Sequence, residues 1–187
     1  MKNYNNKNKK GLIARIINNL YPTYIYNSVE EIPYFIFEKY NIELIMLDLD
    51  NTLIDGNTKY NDKLRKWIKD LKRRGIKLYI LSNSISTNKV KTIAHKLGMQ
   101  YYYKAAKPFL KGYNYVLEKE KVNKQNAIMI GDQIFTDVWG GNRFGIKTIL
   151  VKPIGKKESI LTKVKRPFET ILLSKYNKNE KNKGGKK

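Results

Sequence analysis

Apolar and polar positions change rhythm along the chain. Near the start, Leu12, Ile13, Ile16, Ile17 and Leu20 recur at helical spacing, so 11–20 reads as a short amphipathic helix ended by Pro22. Ser28 followed by Glu31 has the form of a capping box and predicts a second helix from about residue 28, with Pro33 in its early turns. From residue 43 the pattern becomes regular. Leu44–Leu49 is a near-continuous apolar run, as in a strand buried on both faces. Leu64, Trp67, Ile68 and Leu71 place a helix over 61–74, stopped by Gly75. Ile76–Leu81 is the next strand, 87–97 a helix stopped by Gly98, Gln100–Tyr103 a short strand and 109–120 a helix. Ala127–Ile130 and Thr148–Val151 are further strands with a helical stretch between them. This alternation predicts an α/β fold with a parallel sheet covered by helices on both faces. In such sheets ligands bind beyond the carboxyl ends of the strands, at the topological switch point.

Composition bounds the rest. The 187 residues suit one domain with tails, and 41% hydrophobic residues with 14 Tyr and 6 Phe suffice for a real core. The expected map is a basic flexible tail over 1–10, a helical extension over 11–42, a core with a C-terminal helix over 43–173, and a second basic tail over 174–187. The absence of Cys excludes disulfides, thiolate metal sites and a Cys nucleophile, and the single His95 excludes a multi-His cage. No apolar run approaches the ~20 residues of a membrane-spanning helix, and Met1–Lys10 has no signal-peptide apolar region. A cytoplasmic location follows as the expectation. Lys and Arg number 38 against 16 Asp and Glu, a formal charge of +22. The two tails hold less than half of that excess, so the body itself is basic. One reading is an anionic partner, either nucleic acid or an acidic membrane surface that would hold the protein peripherally. The other is the Lys/Asn bias of an AT-rich genome. The helix at 11–20 has the same two readings, packing on the domain or lying in a membrane interface.

Four strand ends carry chemical groups. Asp48 and Asp50 follow the first buried strand, and a period of two lets both face one crevice while Leu49 points away. Two carboxylates so close repel unless a cation lies between them, and oxygen ligands suit a hard ion such as Mg²⁺. Ser82-Asn83 ends the second strand, Lys107-Pro108 follows the third, and Gly131-Asp132 with Asp137 follows the fourth. This set suits phosphoryl transfer through a carboxylate. An Asp, with an ordinary pKa near ~3.9, is ionised at neutral pH. Its repulsion from a phosphate is about 4 kcal/mol per charge pair at 4 Å and an effective dielectric of 20. A divalent cation and a Lys cancel that repulsion. Asp50 stands where a second group can protonate the leaving oxygen and later deprotonate water.

Asp48-Leu49-Asp50-Asn51-Thr52 resembles motif I of the haloacid dehalogenase (HAD) superfamily, and Ser82, Lys107 and Gly131-Asp132-x4-Asp137 fall in order where motifs II, III and IV belong. The resemblance implies a Rossmann-like three-layer sandwich and a Mg²⁺-dependent phosphatase. It also implies roles. Asp48 would be the nucleophile and a metal ligand, and Asp50 the general acid/base with its carbonyl on the metal. Thr52 would orient the loop. Ser82 and the Asn83 N–H would hold the phosphate, and Lys107 would neutralise it. Asp132 would ligate the metal, with Asp137 supporting the site. His95 reads as a surface residue, and Arg143 as part of a structural turn or a contact to a second anionic group.

Residues 53–81 between motifs I and II, and 83–107 between II and III, leave no room for a large cap domain. The finer pattern, with Tyr103-Lys104-Ala105-Ala106-Lys107-Pro108, Gly131-Asp132-Gln133-Ile134-Phe135-Thr136-Asp137 and Gly140-Gly141-Asn142-Arg143, resembles the YqeG-type HAD subfamily IIIA over about 12–173. That group is similar to the mitochondrial phosphatidylglycerophosphate phosphatases. The resemblance implies a substrate with an anionic phospholipid headgroup, dephosphorylated to phosphatidylglycerol. Ala106 departs from the basic residue expected there. The alternatives are a phosphatase for soluble or nucleic-acid phosphates and a basic RNA- or ribosome-binding protein.

Overall fold

The computed structural model describes residues 16–55 and 58–154. Pro22–Lys157 forms one compact unit. Of the second unit only 16–21 are described; 16–18 are helical, and Ile16 and Ile17 are exposed. The rest of the expected 11–20 helix, the C-terminal helix and both basic tails lie outside the described residues.

Six parallel strands make one sheet: β1 (Tyr24–Tyr26), β2 (Leu44–Leu47), β3 (Lys77–Leu81), β4 (Gln100–Tyr102), β5 (Ala127–Gly131) and β6 (Lys147–Val151). Their spatial order is β1-β6-β5-β2-β3-β4. The chain winds outward from β2 through β3 to β4, then returns to β5 on the other side of β2. The switch point therefore lies between β2 and β5, where Leu47 is in register with Ile130. Asp48 continues that pairing, its N–H donating to the Ile130 carbonyl at 2.9 Å.

The helices are α1 (Phe35–Lys39), α2 (Asp62–Arg73), α3 (Thr87–Leu97), α4 (Lys111–Glu120) and α5 (Trp139–Phe144). Strand alternation divides the core between the two faces. Ile45, Leu47, Leu78, Ile80, Ile128 and Ile130 meet Phe37 of α1, Leu64 and Ile68 of α2, and Val90 and Ile93 of α3. Leu44, Met46, Tyr79, Leu81 and Met129 meet Tyr113 and Val116 of α4 and Phe144 of α5. The result is the expected three-layer sandwich, with no large cap domain among the described residues. Local signals fix its boundaries. The Asn61 side chain caps α2, accepting from the Leu64 N–H at 2.7 Å. Gly98 ends α3 at φ +62°, a left-handed conformation that costs glycine little.

The segment ahead of α1 differs from the expectation of a helix starting near residue 28. Tyr24–Tyr26 is a strand paired in parallel with β6. Ser28 precedes only a 3-10 turn at Val29–Glu31 and makes no side-chain cap bond. Glu31 instead accepts from Asn27 Nδ2 at 2.8 Å. Pro33 explains the break, because the residue before a proline is pushed out of the helical region, and Ile32 is extended at φ −72°, ψ 114°.

Candidate active site

Asp48, Asp50, Thr52, Ser82, Asn83, Lys107, Asp132 and Asp137 all follow strand ends at the carboxyl edge of the sheet. Beyond β2 the backbone turns sharply. Asn51 has φ +64°, its N–H donates to the Ile54 carbonyl at 2.9 Å, and its carbonyl accepts from the Ile154 N–H at 2.8 Å. Asn tolerates that conformation better than most residues. The two carboxylates before this turn have unlike surroundings. Asp48 is buried, whereas the Asp50 side chain is 40% exposed and ion-paired with Lys89 Nζ of α3. Thr52 is buried beneath the loop, and its Oγ1 has no hydrogen-bond partner among the described residues.

Lys107 is the electrostatic centre. Its ammonium is almost wholly buried and donates to Asp48 Oδ1 at 2.7 Å and to Asp137 Oδ1 at 2.8 Å. The Asn83 side chain braces it from behind. Asn83 Oδ1 accepts from the Lys107 N–H at 2.7 Å, and Asn83 Nδ2 donates to the Lys107 carbonyl at 3.0 Å. Ser82 is buried beside this brace, with its Oγ accepting from the Ser84 N–H at 3.1 Å. The Ser82 hydroxyl proton is left for another acceptor.

Asp137 lies in a π-helical turn over Ile134–Val138, a geometry common at functional sites. Its Oδ2 accepts from the Gln133 N–H at 3.1 Å. Gly131 makes room for it, since a Cβ there would sit 2.2 Å from Asp137 Oδ2. Tyr113, stacked on Phe144 at 5.3 Å, is buried behind the turn. Gly140 in turn accommodates Tyr113, because a Cβ there would approach its Oη to 2.7 Å.

Asp48, Asp132 and Asp137 are buried and bring carboxylate oxygens within 4.8 Å of one another. Three carboxylates against one ammonium leave an excess of about two negative charges when all are ionised, and the donors are all oxygen. That set fits Mg²⁺, the cation of HAD phosphatases. The Asp50 carboxylate lies outside this trio; the third carboxylate is that of Asp137. Burial pushes the Asp48 carboxyl up to about 7, Lys107 opposes that rise, and Asp137 adds to it. For Lys107, burial favours the neutral amine, but Asp137 and Asp48 outweigh it and hold the ammonium pKa above its ordinary value. Burial likewise raises the Tyr113 phenol, with Lys107 opposing.

Lys89, Tyr113 and the bracing side chain of Asn83 join the site only through the fold. No local signal singles out Lys89 from its many lysine neighbours. His95 is exposed on α3, and the Arg143 guanidinium lies over the Trp139 ring at 4.9 Å.

Residues 58–145 match the family model of haloacid dehalogenase-like hydrolases. The chain is 38% identical over 135 residues to the probable phosphatase YqeG of Bacillus subtilis (strain 168), covering 72% of this chain and 78% of that protein. An uncharacterized protein from Listeria monocytogenes serotype 4b shares the fold, at TM-score 0.51 and 18% identity, over 72% of this chain and 99% of that one. The 3-deoxy-D-manno-octulosonate 8-phosphate phosphatase of Moraxella catarrhalis, solved with magnesium, phosphate and KDO, gives TM-score 0.42 and 24% identity over 53% of this chain and 63% of that one. Among the described residues no helix is long and apolar enough to cross a membrane. The chain belongs to the haloacid dehalogenase-like hydrolases, within the YqeG-type family of phosphatases.

Proposed function

We propose that this phosphatase hydrolyses phosphatidylglycerophosphate to phosphatidylglycerol through an aspartyl-phosphate on Asp48. The observation that carries the mechanism is the buried Asp48 carboxylate, held by Lys107 at 2.7 Å and facing the carboxyl edge. Asp48 attacks phosphorus, forming a P–O bond as the bond to the lipid glycerol oxygen breaks. Asp50, at the mouth, gives that oxygen its proton. Asp50 then takes a proton from water, which attacks phosphorus and releases inorganic phosphate from Asp48. Lys107 and the Ser82 hydroxyl hold the phosphoryl oxygens, and the Asn83 side chain keeps Lys107 in place. Asp48, Asp132 and Asp137 would hold Mg²⁺, with the Asp50 carbonyl as a further ligand, and the ion would supply charge neutralisation.

Two features support a lipid substrate: a site with no large cap among the described residues, and a basic body. The test is phosphate release with Mg²⁺ from phosphatidylglycerophosphate in mixed micelles, beside nucleotides, sugar phosphates and 5′-phosphorylated oligonucleotides, with Asp48→Asn as blank. Selective release from the lipid, lost in the blank, is the expected result. Release only from soluble or nucleic-acid phosphates refutes the lipid assignment and leaves the aspartyl mechanism standing.

A further inference from the structure

The two most exposed large apolar side chains among the described residues are Ile85, 80% exposed, and Phe109, 68% exposed. Both stand at the carboxyl edge beside the active site. Ile85 follows Ser82-Asn83 beyond β3, and Phe109 follows Lys107-Pro108. The two loops are laced together. The Lys104 N–H donates to the Ser84 carbonyl at 3.1 Å and the Ala105 N–H to the Ser82 carbonyl at 2.9 Å. The two bonds of the Asn83 brace complete the seam. Ile85 and Phe109 are thus presented by one rigid, doubly supported rim, and that rim also holds the Lys107 ammonium.

The charge of the same rim is one-sided. Residues 83–91 and 103–111 contain no Asp or Glu. Lys104, Lys111 and Lys91 are exposed on them, and Lys89 is partly exposed. Lys89 is engaged by Asp50, but an exposed aliphatic and an exposed aromatic side chain on segments that carry three exposed lysines and no acid match a negatively charged phospholipid surface, where apolar insertion and basic attraction act together.

We propose that the loops 83–86 and 104–109 seat the enzyme on an anionic phospholipid bilayer, with Ile85 and Phe109 entering the interface. This inference rests on the lipid-phosphate reading and deepens it. It places the mouth against the membrane, so a headgroup phosphate reaches Asp48 without leaving the bilayer surface.

The natural chain has no cysteine, so single labels are clean. Ile85→Cys, Phe109→Cys and Gln125→Cys proteins would each carry a polarity-sensitive fluorophore. Gln125 is exposed in the turn before β5, at the opposite edge of the sheet. On vesicles of phosphatidylglycerol and phosphatidylcholine, the labels at 85 and 109 shift to the blue and the label at 125 does not. Vesicles of phosphatidylcholine alone give no shift. The double variant Ile85→Ser/Phe109→Ser binds the anionic vesicles at least ~10-fold more weakly, while its hydrolysis of p-nitrophenyl phosphate stays at the native level. Undiminished vesicle binding by the double variant overturns the inference and assigns binding to charge elsewhere. Equal shifts at 85, 109 and 125 overturn it too. A native dimer in light scattering that the double variant dissociates would make the rim a contact between copies, again overturning it. The micelle assay reads independently of all these, since docking without lipid hydrolysis would refute the substrate and leave the surface.

Discussion

Replacing Lys107 by Met keeps the length of the buried stem and removes the ammonium between two carboxylates. Each bridge, at 2.7 and 2.8 Å, has a gross attraction of about 6 kcal/mol at an effective dielectric of 20. The cost of stripping water from the charges offsets much of that attraction. Removing one partner while leaving the others buried destabilises by about 3–5 kcal/mol. That is the expected loss of folding stability for Lys107→Met, measured by urea unfolding in EDTA at pH 8. In the phosphatase assay with saturating Mg²⁺, kcat falls about 10²–10³-fold if about 3–4 kcal/mol of that neutralisation acts in the transition state. A partner variant separates the charge effect from packing. Asp137→Asn alone also destabilises, but Lys107→Met/Asp137→Asn loses less than the two single losses together, with a coupling of about 1–3 kcal/mol. Additivity to within about 0.5 kcal/mol, or a Lys107→Met enzyme within about threefold of native kcat, would refute this account of the site.

Two further outcomes follow from the same geometry. Gly131→Ala places a methyl group 2.2 Å from Asp137 Oδ2, so Asp137 must move; stability falls by about 1–3 kcal/mol, and Mg²⁺ activation measured by titration weakens. A native activation constant in this variant would show that Asp137 is dispensable for the metal. In the metal-free protein Asp48 binds its proton up to about pH 7, against an ordinary value of ~3.9 in the unfolded chain. Between those values the folded state holds the extra proton, so metal-free stability falls as pH rises from about 4 to 7, by a few kcal/mol at most. Thermal melts in EDTA check this; Mg²⁺ and Asp48→Asn should each flatten the fall, and a rise across that window contradicts it.

The central strands were legible because burial on both faces leaves long apolar runs, and the helices because glycine stops and apolar spacing agree. Observed α3 has the bounds read from the sequence, 87–97. The failures have physical causes too. Tyr24–Tyr26 has three residues, too few to show a period, and its strand character comes from pairing with β6 rather than from its own pattern. The apparent capping box at Ser28 was overruled by a proline five residues on. In the site, the four strand ends were legible because polar residues after apolar runs stand out. The side-chain brace of Asn83 on Lys107 joins residues 24 positions apart, and the Lys89–Asp50 pair joins residues 39 apart. Neither separation leaves a local mark.

The most consequential divergence lies within one motif. A regular strand would give Asp48 and Asp50 the same crevice and much the same surroundings. The strand instead stops at Leu47, before either carboxylate, and the chain turns at the left-handed Asn51 just after the second. Asp48 is drawn down onto Lys107, out of water, while Asp50 is left at the mouth against Lys89, with 40% of its side chain exposed. A nucleophile benefits from the first environment, where its position is fixed and few water molecules compete for phosphorus. A group that must exchange protons with a leaving alcohol and then with water benefits from the second. Two identical side chains, two residues apart, are made chemically unlike by their surroundings, and the proposed division of labour between them follows from those surroundings rather than from residue type.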